Sequence, residues 1–590
     1  MREAARRGAT EAAMTLATSS IRIDRRFVLV GGQHLHYRRG GSGPPIVMVH
    51  PAITSSTYFV PQMTRLAEKF TCFAFDNPGF GSSDTTPGST GLMAELADGI
   101  AAGMRALGFH AVPVFGYHTG AAVALELAAR HPDLVSGLVL DGLPMFNQDE
   151  VAQLFSADFA PPLTIDALGG HLTHTWTRFR DQYTFYPWCT KTAHTVLPLK
   201  NAATAAAVND WVQYFYSSAE HYAVPFFDAH DSGAVAAERI TSLTMPALFV
   251  CASNDFLVSH TPRLPALNAQ QELALIGPEP AEKNDVINNW LDRYSSVPPA
   301  DAPAPGASVG IGKYYVDLPS GQMLVRLCGA LDAAPLLLIH DAPGSAQVHE
   351  ALIVALGRHH RVLAVDLPGC GESDPLPDDA RTLADYAAAM RVACRALGVA
   401  QATVVGVGFG ASLAVELAGT DDGLVARLVL HGLLLPTPEE RADMVLHFAP
   451  PLAVGEHGEH WYRVWLMLRD SLIYFPWYRR TGAALRKIDA DFDGVKLHRR
   501  TFEVVKKLGA YHHVIEAALR QDLAVALLKM KLPMLALCDR MQPFSAYAAT
   551  RTQLLPELAT LPAAAGEAAL AEQIAGFTSA PHSTGKHGSV

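Results

Sequence analysis

Short, unbroken apolar runs alternate with amphipathic stretches along this chain, and the whole pattern occurs twice. In each half a hairpin (27–37 and 314–327) precedes an apolar strand that stops at His50 or His340. A helix follows, then a strand that stops at Asp76 or Asp366, then another helix. In the first half a strand at 112–115 runs into Gly116-Tyr117-His118-Thr119-Gly120 and a helix of small residues, 121–126. The counterpart in the second half is Gly406-Val407-Gly408-Phe409-Gly410. Strands at 137–140 and 427–430 precede a mostly helical insertion, and strands at 247–251 and 534–538 return the chain to the core. Continuous Val, Ile and Leu runs predict strands buried on both faces. Their alternation with helices predicts a parallel sheet covered on both sides. Such sheets bind ligands beyond the carboxyl ends of their strands.

The repeat is a duplicated domain rather than a short solenoid unit. His50-Pro51-Ala52 answers to His340-Asp341-Ala342, and the turn Asp76-Asn77-Pro78-Gly79-Phe80-Gly81-Ser82-Ser83-Asp84 to the turn from Asp366 to Asp374. His118 answers to Gly408, all at an offset of 290. Farther on the offset is 289: Arg180-Asp181 matches Arg469-Asp470, and Pro187-Trp188 matches Pro476-Trp477. The division this predicts is a tail (1–25), a first domain (26–292), a Pro/Ala-rich semi-rigid linker (293–311), a second domain (312–576) and a second tail (577–590).

The Asp-x-Pro-Gly-x-Gly-x-Ser-Asp turn, the strand-end His and the elbow glycines together resemble the α/β-hydrolase superfamily over nearly all of both halves. That resemblance implies an α/β fold: two tandem α/β-hydrolase domains, each a doubly covered, mostly parallel sheet with an inserted helical cap, at about 147–238 and 437–526. It also implies a chemistry. The family carries a nucleophile on a strained elbow, a His base, an acid that orients the base, and two main-chain N–H groups for an oxyanion. Here the elbow centre holds His118 in one half and Gly408 in the other, where the family carries Ser or Asp. By the same resemblance the oxyanion donors are the amides of Ala52 and Thr119, with Pro51 in the place of the usual Gly. The acid is Asp255. The base belongs to the loop 276–285, which contains no His. In the second half Gln542 stands in the place of Asp255, Asp539 serves only with an insertion or deletion, and the loop 561–567 again lacks His. His582 and His587 lie in the tail.

Each candidate has two readings. His118 is a base or nucleophile titrating near neutrality, or a relic whose ring fills the pocket or bonds a ligand. His50 is a ligand-binding candidate, although the family's His at that place fixes the loop. The aspartates Asp76 and Asp366 are expected to fix their turns. On the cap, Trp176 and Arg180 stand four apart on a helix. They offer either an aromatic wall with a guanidinium for a carboxylate or phosphate, or a packing anchor with a salt bridge.

Composition narrows the setting. Of 590 residues 49% are hydrophobic and 17% charged, with a formal net charge of −11. That supports folded cores, and with no long basic run it argues against nucleic acid. No apolar run reaches about 18 residues, so no membrane span is expected. The charged N-terminus argues against a secretory signal, and either Met1 or Met14 serves as start. Seven cysteines without C-x-x-C spacing point to reduced thiols and a cytoplasmic protein. No metal or cofactor is implied. Three functions follow: a pseudo-hydrolase that binds a small apolar or carboxylated ligand or acts in assembly; a hydrolase or lyase using His118; or hydrolysis through Ser55 or Ser253. The halves are also expected to pair as an intramolecular pseudo-dimer.

Overall fold

The computed structural model describes residues 21–86, 88–90, 92–154, 158–197, 203–218, 222–225, 228, 233–293, 310–420, 422–538, 555 and 558–580. Most of the expected linker, the residues Asp539 and Gln542, and the tail histidines His582 and His587 lie outside the described residues. The chain divides into two compact units, Met1–Pro162 with Ser217–Ala302, and Leu163–Tyr216 with Pro303–Val590.

Among the described residues of the first unit, eight strands form one sheet: β1 (Ile23–Val30), β2 (Gln33–Gly40), β3 (Pro45–Val49), β4 (Thr71–Phe75), β5 (Val112–Tyr117), β6 (Val135–Asp141), β7 (Ala247–Ala252) and β8 (Gln271–Ile276). They lie in the order β1-β2-β4-β3-β5-β6-β7-β8. The hairpin β1–β2 and the pair β2–β4 are antiparallel, and the others are parallel. β1 begins at Ile23, three residues before the expected boundary, because the whole of Ile23–Val30 pairs with β2. The apolar runs read from sequence fall on the central strands: every residue of β3 and β4 is buried. One core layer packs the helices Met93–Ala106 and Thr119–Arg130 on one face, and a second packs Phe59, Met63 and Trp290 on the other.

The second unit repeats the sheet with β9 (Gly312–Leu318), β10 (Gly321–Cys328), β11 (Pro335–Ile339), β12 (Arg361–Val365), β13 (Ala402–Val407), β14 (Val425–His431), β15 (Met534–Cys538) and β16 (Ala559–Pro562). Their order mirrors the first, β9-β10-β12-β11-β13-β14-β15-β16, again for the described residues. The helix after β16, Glu567–Ser579, runs three residues beyond the expected domain end.

The second unit also contains residues from the cap that sequence assigns to the first half. Helix Gly170–Gln182 packs there against helix Glu459–Ser471. The contact is reciprocal. Gly169 and Gly458, the N-caps of the two helices, both have left-handed backbones, with φ 85° and 76°. A Cβ on Gly458 would lie 2.3 Å from Trp176, and one on Gly169 3.0 Å from Trp465. The Trp rings also meet His460 and His171 edge-on at 5.4 and 5.2 Å. This is why Leu163–Tyr216 groups with the second half: its apolar stripe is buried there.

Candidate functional site

The elbow of the first half is built by β5 and the helix Thr119–Arg130. The turn between them demands a left-handed residue, and His118 adopts φ 50°, ψ −121°, a strained conformation for a side chain with a Cβ. Gly142, at the end of β6, makes room for the ring. A Cβ there would lie 2.6 Å from His118 Cδ2.

His118 Nε2 lies 2.8 Å from Asp255 Oδ2. The structure thus brings together the elbow residue and the expected acid. Asp255 caps the 3₁₀ helix after β7, its Oδ1 accepting the Leu257 N–H at 2.9 Å. Burial pushes the Asp255 carboxyl up, but the His118 ring and its hydrogen bond, with the Leu257 amide, outweigh that and hold it below its ordinary value. The His118 ring stacks on Tyr117 at 3.9 Å between centroids and meets Phe256 edge-on at 5.3 Å. Its side chain is still 19% exposed, so one edge reaches solvent.

Two residues that sequence reasoning missed complete this cluster. Lys283 comes from the helix Pro280–Leu291, in the region where the resemblance places the base. Its Nζ lies 2.8 Å from Asp141 Oδ2 at the end of β6 and 5.2 Å from the Tyr117 ring centroid. Asp141 is buried, and burial raises its carboxyl above the ordinary value although Lys283 pulls it back. The available signals were a lysine in a loop read only for its lack of His, and an aspartate at a strand's carboxyl end. His260, close behind Asp255 in sequence, is no substitute base. It is buried, its Nδ1 accepts the Met145 N–H at 2.9 Å, and burial lowers it to about 4.

The two amides assigned to an oxyanion are also close together. The Ala52 N–H already donates to Thr119 Oγ1. His50 offers no face to a ligand: it is fully buried, with Nδ1 against the Pro51 carbonyl at 2.8 Å and Nε2 accepting the Asn77 N–H at 2.9 Å. Asp76 holds its turn by accepting the Ser56 and Ser82 amides at 2.6 and 2.8 Å, with His36 at 2.8 Å. Ser55 caps a 3₁₀ helix by accepting the Thr57 N–H at 3.3 Å. Ser253 is exposed.

Trp176 and Arg180 do not form a shared wall. The buried stripe of their helix runs through His171, Leu172, Thr175, Trp176, Arg178 and Phe179, so Arg180 falls off it and is exposed. The buried guanidinium is that of Arg178, which lies 4.8 Å from the Phe179 ring and 5.0 Å from that of Trp188.

In the second half the elbow is closed from within. Asp341 stands where the first half has Pro51. Its Oδ1 accepts the N–H groups of both Ala342 and Phe409, each at 2.8 Å. These are the counterparts of Ala52 and Thr119. Gly408 has φ 55°, and a Cβ on it would lie 2.1 Å from Asp341 Oδ1. The carboxylate therefore occupies the space of any elbow side chain. Burial raises the Asp341 carboxyl to about 6 against the pull of the Phe409 amide and the Arg500 guanidinium. Nearby, Arg326 replaces His36 and pairs with Asp366 at 2.6 Å, both fully buried.

Among the described residues no cluster of three or more His, Cys, Asp or Glu has the geometry to hold a metal, and no helix is long and apolar enough to cross a membrane. A family model described as alpha/beta hydrolase fold matches residues 44–275 and 334–451. Among curated proteins, 2-(acetamidomethylene)succinate hydrolase of Mesorhizobium japonicum is 38% identical over 118 residues, 20% of this chain and 41% of that protein. Serine hydrolase BPHL of Mus musculus is 30% identical over 146 residues, 24% of this chain and 50% of that one. The chain thus spans half or less of the length of these relatives. Among solved structures, an epoxide hydrolase, CorEH, is similar at 20% identity with a TM-score of 0.35, covering 46% of this chain and 98% of its own.

Proposed function

The chain belongs to the α/β hydrolase fold family, and on that premise we propose that it is a tandem, ligand-binding member in which neither half runs Ser-His-Asp hydrolysis. The observation that carries this reading is that the protein itself engages the oxyanion donors, one of the two in the first half and both in the second. Thr119 Oγ1 takes the Ala52 amide in the first half, and Asp341 takes both equivalent amides in the second. A hydrolase needs those donors aimed at charge that develops in the transition state, and donors already bonded are not available without rearrangement. Gly408 also brings no nucleophile, and neither loop after the last strand brings a His. The ligand is a small apolar or carboxylated molecule in a cytoplasmic setting, with no nucleic acid or membrane partner. The crosswise Trp–Gly packing of the two cap helices supports a pseudo-dimer of the two halves within one chain.

One observation favours a second reading. Asp255 holds His118 Nε2 at 2.8 Å, a contact that favours a proton on Nε2 and, in a neutral ring, leaves Nδ1 with its lone pair. Such an imidazole takes a proton from water, the hydroxide adds to a carbonyl carbon, the Thr119 N–H receives the oxyanion, and the proton returns to the leaving group.

A panel of nitrophenyl esters and a fluorophosphonate probe on the full chain separate the two readings. No labelling, and no turnover above that of His118→Ala, is expected. Turnover that His118→Ala abolishes overturns the proposal in favour of the second reading.

A further inference from the structure

The contact between the two caps is built on histidines as well as on Trp–Gly packing. His171, His460 and His498 are all buried in it, at 5%, 1% and 6% exposure. His171, on the helix Gly170–Gln182, sets its Nε2 3.1 Å from Nδ1 of His498 on the helix Gly494–Val505. His460, on the helix Glu459–Ser471, sets its Nε2 2.9 Å from Asn209 Oδ1 on the helix Ala205–Ser218. That oxygen also accepts the Trp461 Nε1–H at 3.1 Å. Both bonds therefore join a residue of one cap to a residue of the other.

The geometry depends on neutral rings. His460 Nδ1 accepts the Gly455 N–H at 3.2 Å, so its single proton belongs on Nε2, where Asn209 takes it. Between His171 and His498 one nitrogen donates and the other accepts. With both rings charged, two N–H groups would face each other across 3.1 Å. Among the described residues the surroundings do little to support charge. Asp166 stands 3.6 Å from His171 Nδ1, but it is half-exposed and already accepts the Leu168 and His171 amides. His498 faces His171, its neighbour Arg499 and the Tyr216 ring at 4.5 Å. Glu459, beside His460, is exposed and accepts the His457 N–H. Burial accordingly lowers all three rings, His460 to about 4 and His498 to about 3.

We propose that these three histidines make the contact between the caps a clasp that opens on acidification. A histidine whose folded value is lowered gives its stability in full above the unfolded value near 6.5, and that stability is lost as pH falls toward the folded value. Each ring held in this way weakens the clasp about tenfold per pH unit across that window. Opening bares Trp176, Trp461 and Trp465, all buried in the closed clasp. It also loosens the helix Glu459–Ser471, whose Met467 and Leu468 wall the small cavity beside Asp341. The clasp thus links the caps to the second elbow and makes that link sensitive to pH.

Hydrogen exchange read by mass spectrometry on the full chain, corrected for the intrinsic effect of pH on exchange, tests the clasp. Between about pH 7 and about pH 5 the helices 170–182, 459–471 and 494–505 are expected to lose at least about tenfold in protection, while strands β11–β13 keep theirs. His171→Gln with His498→Asn puts an uncharged amide where each bonding ring nitrogen stands, so the bond stays and its titration goes. That pair is expected to shrink the loss at least about threefold. His460→Gln, which retains the bond to Asn209, is an independent variant with the same expectation. Thermal unfolding at neutral pH shows whether each variant is folded, and the unaltered chain decides the matter if one is not. Protection of the three helices that is equal at both pH values overturns the proposal. So does a loss shared by β11–β13, which marks global acid unfolding, or a loss as steep in both folded variants as in the unaltered chain.

Discussion

The two halves place the same backbone around the same pair of amides and fill the space between them with different residues. In the first half Pro51 has nothing to offer, the elbow carries a bulky ring, and a hydroxyl from Thr119 satisfies one amide. In the second half the elbow has lost its side chain, and Asp341, from the position of Pro51, satisfies both. The pairing behind the elbow differs in step. Asp141, which pairs with Lys283 in the first half, corresponds to His431 in the second. An elbow ring and an inward carboxylate cannot share one pocket: a Cβ at Gly408 and Asp341 Oδ1 would be 2.1 Å apart. Each half is a consistent set, and mixing members of the two sets is what should fail.

The largest effect is expected from Gly408→Ala. It adds a Cβ in left-handed backbone and drives it into Asp341, which must leave both amides. The cost should be about 3–5 kcal/mol in urea denaturation. Adding Asp341→Ala should return more than about 1 kcal/mol by removing the collision. A cost below about 1 kcal/mol for the single change would break the argument that the second elbow is sterically committed.

Lys283→Met comes next. It leaves Asp141 buried without its cation and should cost about 2–4 kcal/mol at pH 7. The pH dependence has a definite sign. Asp141 is already held above its ordinary value, so its neutral form is the one the fold favours. That contribution is full below the unfolded carboxyl value and is lost as pH rises through the raised folded value. Losing Lys283 raises the carboxyl further, so the deficit should shrink on acidification. Removing both charges together, Asp141→His as in the second half with Lys283→Leu, should restore much of the stability, and a deficit unmoved by pH would count against a charge origin.

Asp341→Asn gives the smallest change, visible as a slope. The Asp341 carboxyl lies at about 6 in the fold, above its unfolded value near 4. Its proton favours the folded state below pH 4, and that stability is lost as pH rises through 6, about 1–3 kcal/mol in all. Asn carries no such titration, so the variant's denaturation midpoint should stay flat across that window. Parallel curves for the two proteins would show that another group sets the slope.

The sheet was readable because β3, β4, β11 and β12 are runs of apolar residues too continuous for any half-exposed surface, and the elbows because glycine and small residues stand where the helix crosses the strand. His118 beside Asp255 was readable for the same reason: both sit at carboxyl ends of strands. Asp341 was not, because its role depends on a side chain folding back onto its neighbour's amide, and sequence shows only an aspartate after a histidine. Lys283 escaped because its partner lies on a different strand. Arg180 was misjudged because four-residue spacing fixes a face only roughly, and the buried stripe on that helix drifts onto Arg178.

The crossed seating of Trp176 on Gly458 and Trp465 on Gly169 has a consequence for anyone who would rebuild this protein. Each glycine is a socket whose plug is encoded almost three hundred positions away. A cap transplanted from another protein therefore needs to supply a plug and a socket together, and replacing one cap alone leaves an indole without a seat and a hollow without a filling. The pieces that look most modular in the linear chain are the ones least able to be exchanged one at a time.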